Sequence, residues 1–313
     1  MRFALTVPTA LAGRPETWLG AGALERIGAE VEAAGFDAVG VTDHPYPPAD
    51  WLANGGHHAL DPFVALSFLA AGTTTIRLFT NVLVFPYRDP VITAKSIATL
   101  DVLSGGRLIV GAAIGYLEAE FEVVGADFRG RAATFEHAIT AMRAAWASAG
   151  RVEKAAAEPD PGERTHVMYP PPVQRPHPPI WIGGTSAAAR RRAARMGDGW
   201  LPFGQPAAMA EVTGSPPLES TVGALAAQIA AFEADCRDAG RTERLDVCFG
   251  PFGKSPIFDR DASTDAVDAE IGGYADAGVT WIGFMARAKE PDDLRRELDR
   301  WHPVLTRAHD VRA

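Results

Sequence analysis

The sequence predicts an α/β protein folded as one (β/α)8 TIM barrel spanning residues 1–313. Three observations lead there. Eight short apolar runs are each followed by a stretch of helical periodicity. The runs are continuous in β-branched and aromatic residues instead of alternating with polar ones, which marks parallel strands covered on both faces. The length of 313 residues suits a barrel of about 250 residues with additions, and so one large core in place of two small ones. A doubly wound sheet typically has about five or six strands, so a set of eight favours closure.

Taken in order, FALTV at 3–7 is the first strand, followed by a helical pattern from Pro15 to Ala34. AVGV at 38–41 is the second, and its helix starts at Asp61-Pro62, a capping acid followed by the residue best tolerated at the first helical position. IRLFTNVLV at 76–84 leads to a second such start, Asp89-Pro90, whose helix closes at Ser104-Gly105-Gly106. RLIVGAAI at 107–114 precedes an excursion to Arg129 and a helix from Ala132 to Trp146. PIWIG at 179–183 precedes a helix from Ser186 to Met196. GWLPF at 199–203, DVCFG at 246–250 and TWIGFM at 280–285 complete the strands, with helices over 221–239, 263–277 and 291–308. Two proline-rich stretches, 150–178 after strand four and 203–220 after strand six, interrupt this rhythm. Long irregular segments in a compact barrel serve as lids or binding loops more often than as linkers.

Composition narrows the partners. With 47% hydrophobic and 22% charged residues the chain has the balance of a soluble globular protein, and no run approaches the ~18 apolar residues of a membrane span. A net charge of −9 argues against a nucleic-acid surface, which needs a basic stripe to neutralise phosphates. Arg190, Arg191 and Arg192 form the one basic run and read as a solvated helix face. Cys236 and Cys248 read as reduced thiols of a cytoplasmic protein. The opening MRFALTVPTALAG superficially resembles a signal peptide, but Pro8 interrupts its short apolar stretch, and a first barrel strand explains the same residues.

In a barrel the functional face lies at the carboxyl ends of the strands. That rule selects Asp43-His44 after strand two, Asn81 within strand three, Gly115-Tyr116 after strand four and Gly183-Gly184-Thr185-Ser186 after strand five. An imidazole titrates near neutrality and can move a proton, while the adjacent acid can hydrogen-bond a ligand; a turn capped by Asp43 with His44 bonded to a neighbouring loop is the plainer alternative. In WIGGTS, a strand ending in two glycines and opening a helix with Thr-Ser offers bare N–H groups and the positive end of a helix dipole, which suit a phosphate. A tight βα turn that needs glycine for its dihedrals explains the same residues. No metal is expected: His57-His58 are adjacent, and no HxH, HExxH or paired-Cys spacing occurs. A GxSxG elbow is absent as well.

These stretches resemble the bacterial luciferase-like superfamily, specifically its coenzyme F420-dependent oxidoreductases. The resemblance is carried by GFDAVGVTDHPYPP at 35–48, by IRLFTNVLVFPYRDPVITAKSIATLDVLSGGRLIVGAAIGYLEAEFEVVGADFRGR at 76–131, by PPPVQRPHPPIWIGGTSAAARRRAARMGDGWLP at 170–202 and by the C-terminal YADAGVTWIGF. It implies a (β/α)8 barrel with a long insertion, a homodimer, and a flavin or deazaflavin in the barrel mouth. By position, Asp43 would contact the ring region, His44 would match the acid or base of sugar-phosphate-dehydrogenase relatives, and Asn81-Val82 would match a non-proline cis peptide behind the ring. Ile114, Gly115 and Tyr116 would line the ring, and Ile182, Gly183, Gly184 and Thr185 would hold the phosphate of the side chain. Those relatives carry glutamate where this chain has Tyr116 and tryptophan where it has Pro48, which argues against a sugar phosphate as substrate. Tyr116 is a second candidate proton donor. The implied activity is hydride transfer between F420 and a small organic substrate; an FMN-dependent monooxygenase and a cofactor-binding protein without catalysis are the alternatives. Trp51, Tyr169 and Phe203 could form an apolar wall for the substrate.

Overall fold

A computed structural model describes residues 1–148, 166–253, 255–259 and 261–310. Eight parallel strands close in sequence order: β1 (Arg2–Thr6), β2 (Ala38–Val41), β3 (Arg77–Val84), β4 (Leu108–Ala113), β5 (Ile180–Gly183), β6 (Gly199–Leu201), β7 (Asp246–Phe249) and β8 (Trp281–Met285), with β8 pairing back onto β1. One long helix follows each strand: Ala23–Ala33, Pro62–Ala71, Pro90–Leu103, Arg131–Ala147, Ala187–Met196, Val222–Asp238, Thr264–Asp276 and Pro291–Asp310. The (β/α)8 barrel expected from the sequence is therefore the fold.

Local chemistry sets the helix starts. The Asp61 and Asp89 carboxylates each accept two N–H bonds from the first turn, with Pro62 and Pro90 placed where no N–H is needed. Ser186, Thr221 and Ser263 cap three more helices with their hydroxyls. Each cap contributes about 1 kcal/mol.

Two layers of apolar packing result. The larger lies between sheet and helices; the smaller fills the barrel interior with Ala4, Ala38, Phe79, Ile109, Trp181, Leu201, Cys248 and Trp281, one from each strand. Phe79 meets Trp181 edge-on at 5.5 Å, and Trp181 meets Trp281 at 5.2 Å. These rings close the barrel and form the floor of its mouth.

Four expectations change. The helical pattern from Pro15 to Ala34 is two helices, Pro15–Trp18 and Ala23–Ala33, because Gly22 adopts a left-handed φ of 72° and breaks the ladder. The excursion before Arg129 contains the helix Glu118–Val124, and the stretch 203–220 contains the helix Ala207–Thr213. The arginine run is not a solvated face. Only Arg191 is exposed; Arg190 pairs with Asp235 at 2.7 Å, and Arg192 is buried against Glu136 at 3.1 Å. Of the insertion at 150–178, residues 150–165 lie outside the described residues. Cys236 and Cys248 are both free thiols. Among the described residues no helix is long and apolar enough to cross a membrane.

At the amino-terminal end of the barrel, Glu32 on the helix Ala23–Ala33 accepts the N–H groups of Thr74, Thr75 and Ile76 at 3.1, 2.6 and 2.8 Å, tying that helix to the start of β3. Burial raises its pKa, but these bonds together with the Thr75 hydroxyl outweigh it and lower the carboxyl to about 2. A depressed carboxyl stabilises the fold above its unfolded pKa, and that contribution is lost as pH falls toward 2. Glu32→Gln is expected to lower the thermal midpoint at pH 7 by about 2–4 °C, equivalent to about 1 kcal/mol for this partly exposed group. Differential scanning fluorimetry across pH should show the gap between variant and wild type closing below about 4.5.

Candidate active site

Side chains alternate in and out along a strand, so the pairing register says which residues stand above the aromatic floor. Gly40 is paired with Thr6, Gly111 with Trp181, Gly183 with Leu201 and Gly283 with Ala4, which brings these glycines to the inner face. A Cβ at Gly111 would lie 2.2 Å from the Thr80 carbonyl oxygen, so that position requires glycine. At Gly183 a Cβ would meet nothing nearer than 3.5 Å, with Val82 and Ala113 among its neighbours. Four inward positions beside the aromatic floor therefore carry no side chain.

Strand β3 carries a bulge here. Thr80 pairs with Val110 and Leu83 with Ala112, so two residues of β3, Asn81 and Val82, oppose the single Gly111. Both then turn inward: Asn81 donates to the Thr6 hydroxyl at 2.9 Å, and Val82 packs on the interior layer. The peptide bond between them is cis.

At the end of β2, Asp43 and His44 go in different directions. Asp43 is 4% exposed and accepts from Arg88 at 2.8 Å and from the Val84 N–H at 3.0 Å. Burial pushes its carboxyl above the usual range, against the opposing pull of Arg88 and that N–H. The pair locks the end of β2 to the end of β3. The His44 Nδ1 lies 3.0 Å from the Glu120 carboxylate, whose side chain is fully buried. Glu120 also accepts from the Tyr46 N–H at 3.1 Å and from the Tyr87 hydroxyl at 3.2 Å. Burial and the adjacent carboxylate push the Tyr87 phenol up, so it remains a donor.

Around the His44 ring stand Trp51 at 4.7 Å, His57 at 4.9 Å and Tyr116 at 6.1 Å between centroids. Burial lowers the His57 pKa to about 4, with His44 beside it adding to the shift, and burial raises Tyr116 to about 12. Both are neutral at pH 7, which makes this wall uncharged. Tyr169 is solvent-exposed at 71% and Phe203 half-buried on the extension of β6.

At the end of β5, Gly184 takes a φ of 121° in the turn to the next helix. Its N–H is bonded to the Leu201 carbonyl and its own carbonyl to the Trp200 indole, so neither reaches outward. The exposed donors are those of Ala187 and Ala188 in the first helical turn, which have no intrahelical acceptor. Thr185 is buried, its hydroxyl directed at the Pro216 carbonyl at 3.4 Å. Ile182 faces the outer core and Ile114 packs against it, so their side chains turn from the lumen. The structure thus gathers Asn81, Val82 and Gly183 on the inner wall and His44 with Tyr116 at its rim. The N–H groups of Ala187 and Ala188 at the helix start suit an anionic group, and with the inward-facing Gly183 they would hold the phosphate end of a flavin-type cofactor. Among the described residues no group of three His, Cys, Asp or Glu side chains could hold a metal ion.

Reading the sequence missed Glu120, Tyr87, Arg88 and His57. Glu120 alternates with Glu118 and Glu122, a pattern that looks like a solvated acidic face. The buried Phe121 beside it and the short helix carrying both were the available signals.

Comparison with known proteins agrees with this fold. A protein of Mycobacterium tuberculosis is 37% identical over 147 residues, 45% of this chain and 49% of its own. An F420-dependent glucose-6-phosphate dehydrogenase of Intrasporangium calvum is 35% identical over 183 residues, 54% of this chain and 50% of its own. An FMNH(2)-dependent dimethylsulfone monooxygenase of Pseudomonas putida is 31% identical over 140 residues, 44% and 37%. The matched part of the chain spans about half the length of the first two relatives and less of the third. Among solved structures, monooxygenase RslO1 from Streptomyces bottropensis superposes over 99% of this chain and 100% of its own with a TM-score of 0.69 at 20% identity. An F420-dependent secondary alcohol dehydrogenase, in complex with an F420-acetone adduct, does so over 97% and 98% with a TM-score of 0.65 at 18% identity. The sequence model of the luciferase-like monooxygenase family matches residues 1–215, and the chain belongs to that family.

Proposed function

We propose that the chain is a coenzyme F420-dependent oxidoreductase that transfers a hydride between the deazaflavin and a small, uncharged organic substrate. The observation that carries this reading is His44: an ionisable imidazole at the carboxyl end of a barrel strand, backed by a buried carboxylate and faced by a neutral aromatic wall. When bound, the cofactor supplies a two-electron hydride donor or acceptor. Interconverting an alcohol and a carbonyl also moves one proton at the substrate oxygen, and His44 is placed to exchange it. Tyr116, held as a phenol, can donate a hydrogen bond to the same oxygen. Trp51, His57 and Tyr116 exclude water and offer no charge to a phosphate or carboxylate, which supports an uncharged substrate. The relative in Intrasporangium calvum supports F420 as the cofactor. A second reading, an FMN-dependent monooxygenase, is supported by the relative in Pseudomonas putida.

We further infer that the chain acts as a homodimer. The helix Pro62–Ala71 is apolar nearly all round, which suits a helix covered on every side, yet Val64 and Phe68 are exposed, as are Val91, Ile92 and Leu103 on the adjoining helix Pro90–Leu103. We infer a reaction in the cytoplasm, in keeping with two free thiols.

Four outcomes test these statements. Fluorescence titration should show F420 binding at least about tenfold tighter than FMN, a difference of about 1.4 kcal/mol; tight FMN binding without F420 affinity would transfer the assignment to the second reading. His44→Ala should cut turnover about 100-fold to 10,000-fold while cofactor affinity stays within a few fold. Gly183→Ala, whose methyl fits the fold and projects inward beside Val82 and Ala113, should weaken cofactor binding about tenfold with the thermal midpoint unchanged within about 2 °C. Light scattering on wild type and on Phe68→Glu with Ile92→Glu should show a dimer and a monomer respectively.

A further inference from the structure

The geometry points to Glu120 as the positioning residue of the site: its buried carboxylate holds the His44 imidazole in the tautomer that carries its proton on Nδ1, leaving Nε2 to exchange a proton with substrate. This rests on the reading of His44 as the proton-handling group. The tautomer follows from counting donors. The Tyr46 backbone N–H can only donate, and it meets one Glu120 oxygen. The Tyr87 phenol, kept protonated by burial and by the carboxylate, donates to the other. Glu120 is therefore an acceptor toward both, and the 3.0 Å contact from its Oε2 to the His44 Nδ1 is an N–H···O bond. A neutral imidazole has one protonated and one bare nitrogen, so fixing the proton on Nδ1 leaves the lone pair on Nε2.

The same contacts fix the ring in space. Glu120 sits on the short helix Glu118–Val124, beside the fully buried Phe121, so its side chain has little freedom. Its bond to Tyr46 reaches across to the loop after β2 and its bond to Tyr87 to the turn after β3. One carboxylate thereby joins the loops after β2, β3 and β4 and orients the imidazole between them. A carboxylate buried without such donors is strongly disfavoured, so its three partners are what make the position tenable.

Glu120→Gln removes the charge and keeps the shape. The amide oxygen can still accept from Tyr46, but its NH2 then faces His44 Nδ1, which has to accept, and the imidazole proton moves to Nε2. Exchanging an orienting carboxylate for its amide inverts the tautomer in this way and leaves the wrong nitrogen facing the substrate. The decisive measurement is long-range 1H–15N correlation on histidine-labelled protein at pH 8 without added cofactor, with the His44 signals assigned by their loss in His44→Gln. Wild type is expected to show the Nδ1–H pattern and Glu120→Gln the Nε2–H pattern; wild type in the Nε2–H form, or a variant with an unchanged tautomer, overturns the proposal. The wild-type spectrum decides even if the variant does not fold.

With oxidised F420 and 2-propanol as the probe pair, Glu120→Gln is expected to lower kcat about 100-fold or more with KM and cofactor affinity within about threefold. An inverted tautomer with full turnover overturns the positioning role. The two readings fail separately. If His44→Ala abolishes turnover while Glu120→Gln retains it, only the role of Glu120 falls; if wild type does not turn over the pair, the functional reading is at fault and the tautomer still decides Glu120.

Discussion

The site depends on one constraint: along each strand of a closed barrel, every second side chain must fit inside. Phe79, Trp181 and Trp281 dominate one interior layer, and several of the neighbouring inward positions carry no side chain. Gly40, Gly111, Gly183 and Gly283 occupy such positions. Gly111 yields to the backbone of β3 and Gly40 to the Phe79 ring and carbonyl, whereas at Gly183 a Cβ would meet only ordinary contacts with Ala112, Ala113 and Val82. A single interior arrangement thus closes the barrel with rings and lets the strands carry glycine beside them. The bulge in β3 adds to it by turning Asn81 and Val82 inward together, which strict alternation forbids.

Buried charge then organises the rim. Asp43 and Glu120 are both removed from water, and each is made tenable by donors from a different strand end. Asp43 draws β2 to β3 through Arg88 and Val84, while Glu120 links the loops after β2, β3 and β4. Asp43 and His44 are neighbours in sequence with separate roles. The acid joins the ends of β2 and β3, and the imidazole stands among Trp51, His57 and Tyr116. Such preorganisation limits how far the imidazole can drift, and proton transfer is sensitive to displacements well under 1 Å.

How far this was legible in the sequence follows the range of the interactions. Strands read from continuous apolar runs, and Asp61-Pro62 and Asp89-Pro90 announced their helices, because capping is settled within three residues. The βα rule put His44, Asn81, Tyr116 and Gly183 at one mouth, since it needs only strand order. What escaped depends on contacts across the fold. Glu120 lies 76 positions from His44, and nothing in Glu118, Glu120 and Glu122 shows which of the three turns inward. Arg192 looked solvated with its neighbours until the helix Arg131–Ala147 brought Glu136 and Phe135 to it. Ile182 and Gly183, adjacent in one motif, part company because consecutive strand residues face opposite sides of the sheet.

The division between strands and loops bears on what the site can distinguish. Asn81, Val82 and Gly183 sit on strands whose positions are fixed by ladder bonds on both sides, and a rigid heterocycle needs that constancy. Trp51 and His57, by contrast, come from the loop after β2, and Phe203 from the extension of β6, where substitutions disturb little of the core. The wall that Trp51, His57 and Tyr116 build around His44 is aromatic and, with His57 and Tyr116 both neutral at pH 7, carries no charge. Selection at such a wall rests on shape and apolar area, where one methylene is worth about 1–3 kcal/mol, whereas a site that hydrogen-bonds a specific group rejects its absence far more strongly. On the proposed reading, the architecture joins a cofactor site held on strands to a permissive substrate wall carried on loops, with the imidazole between them.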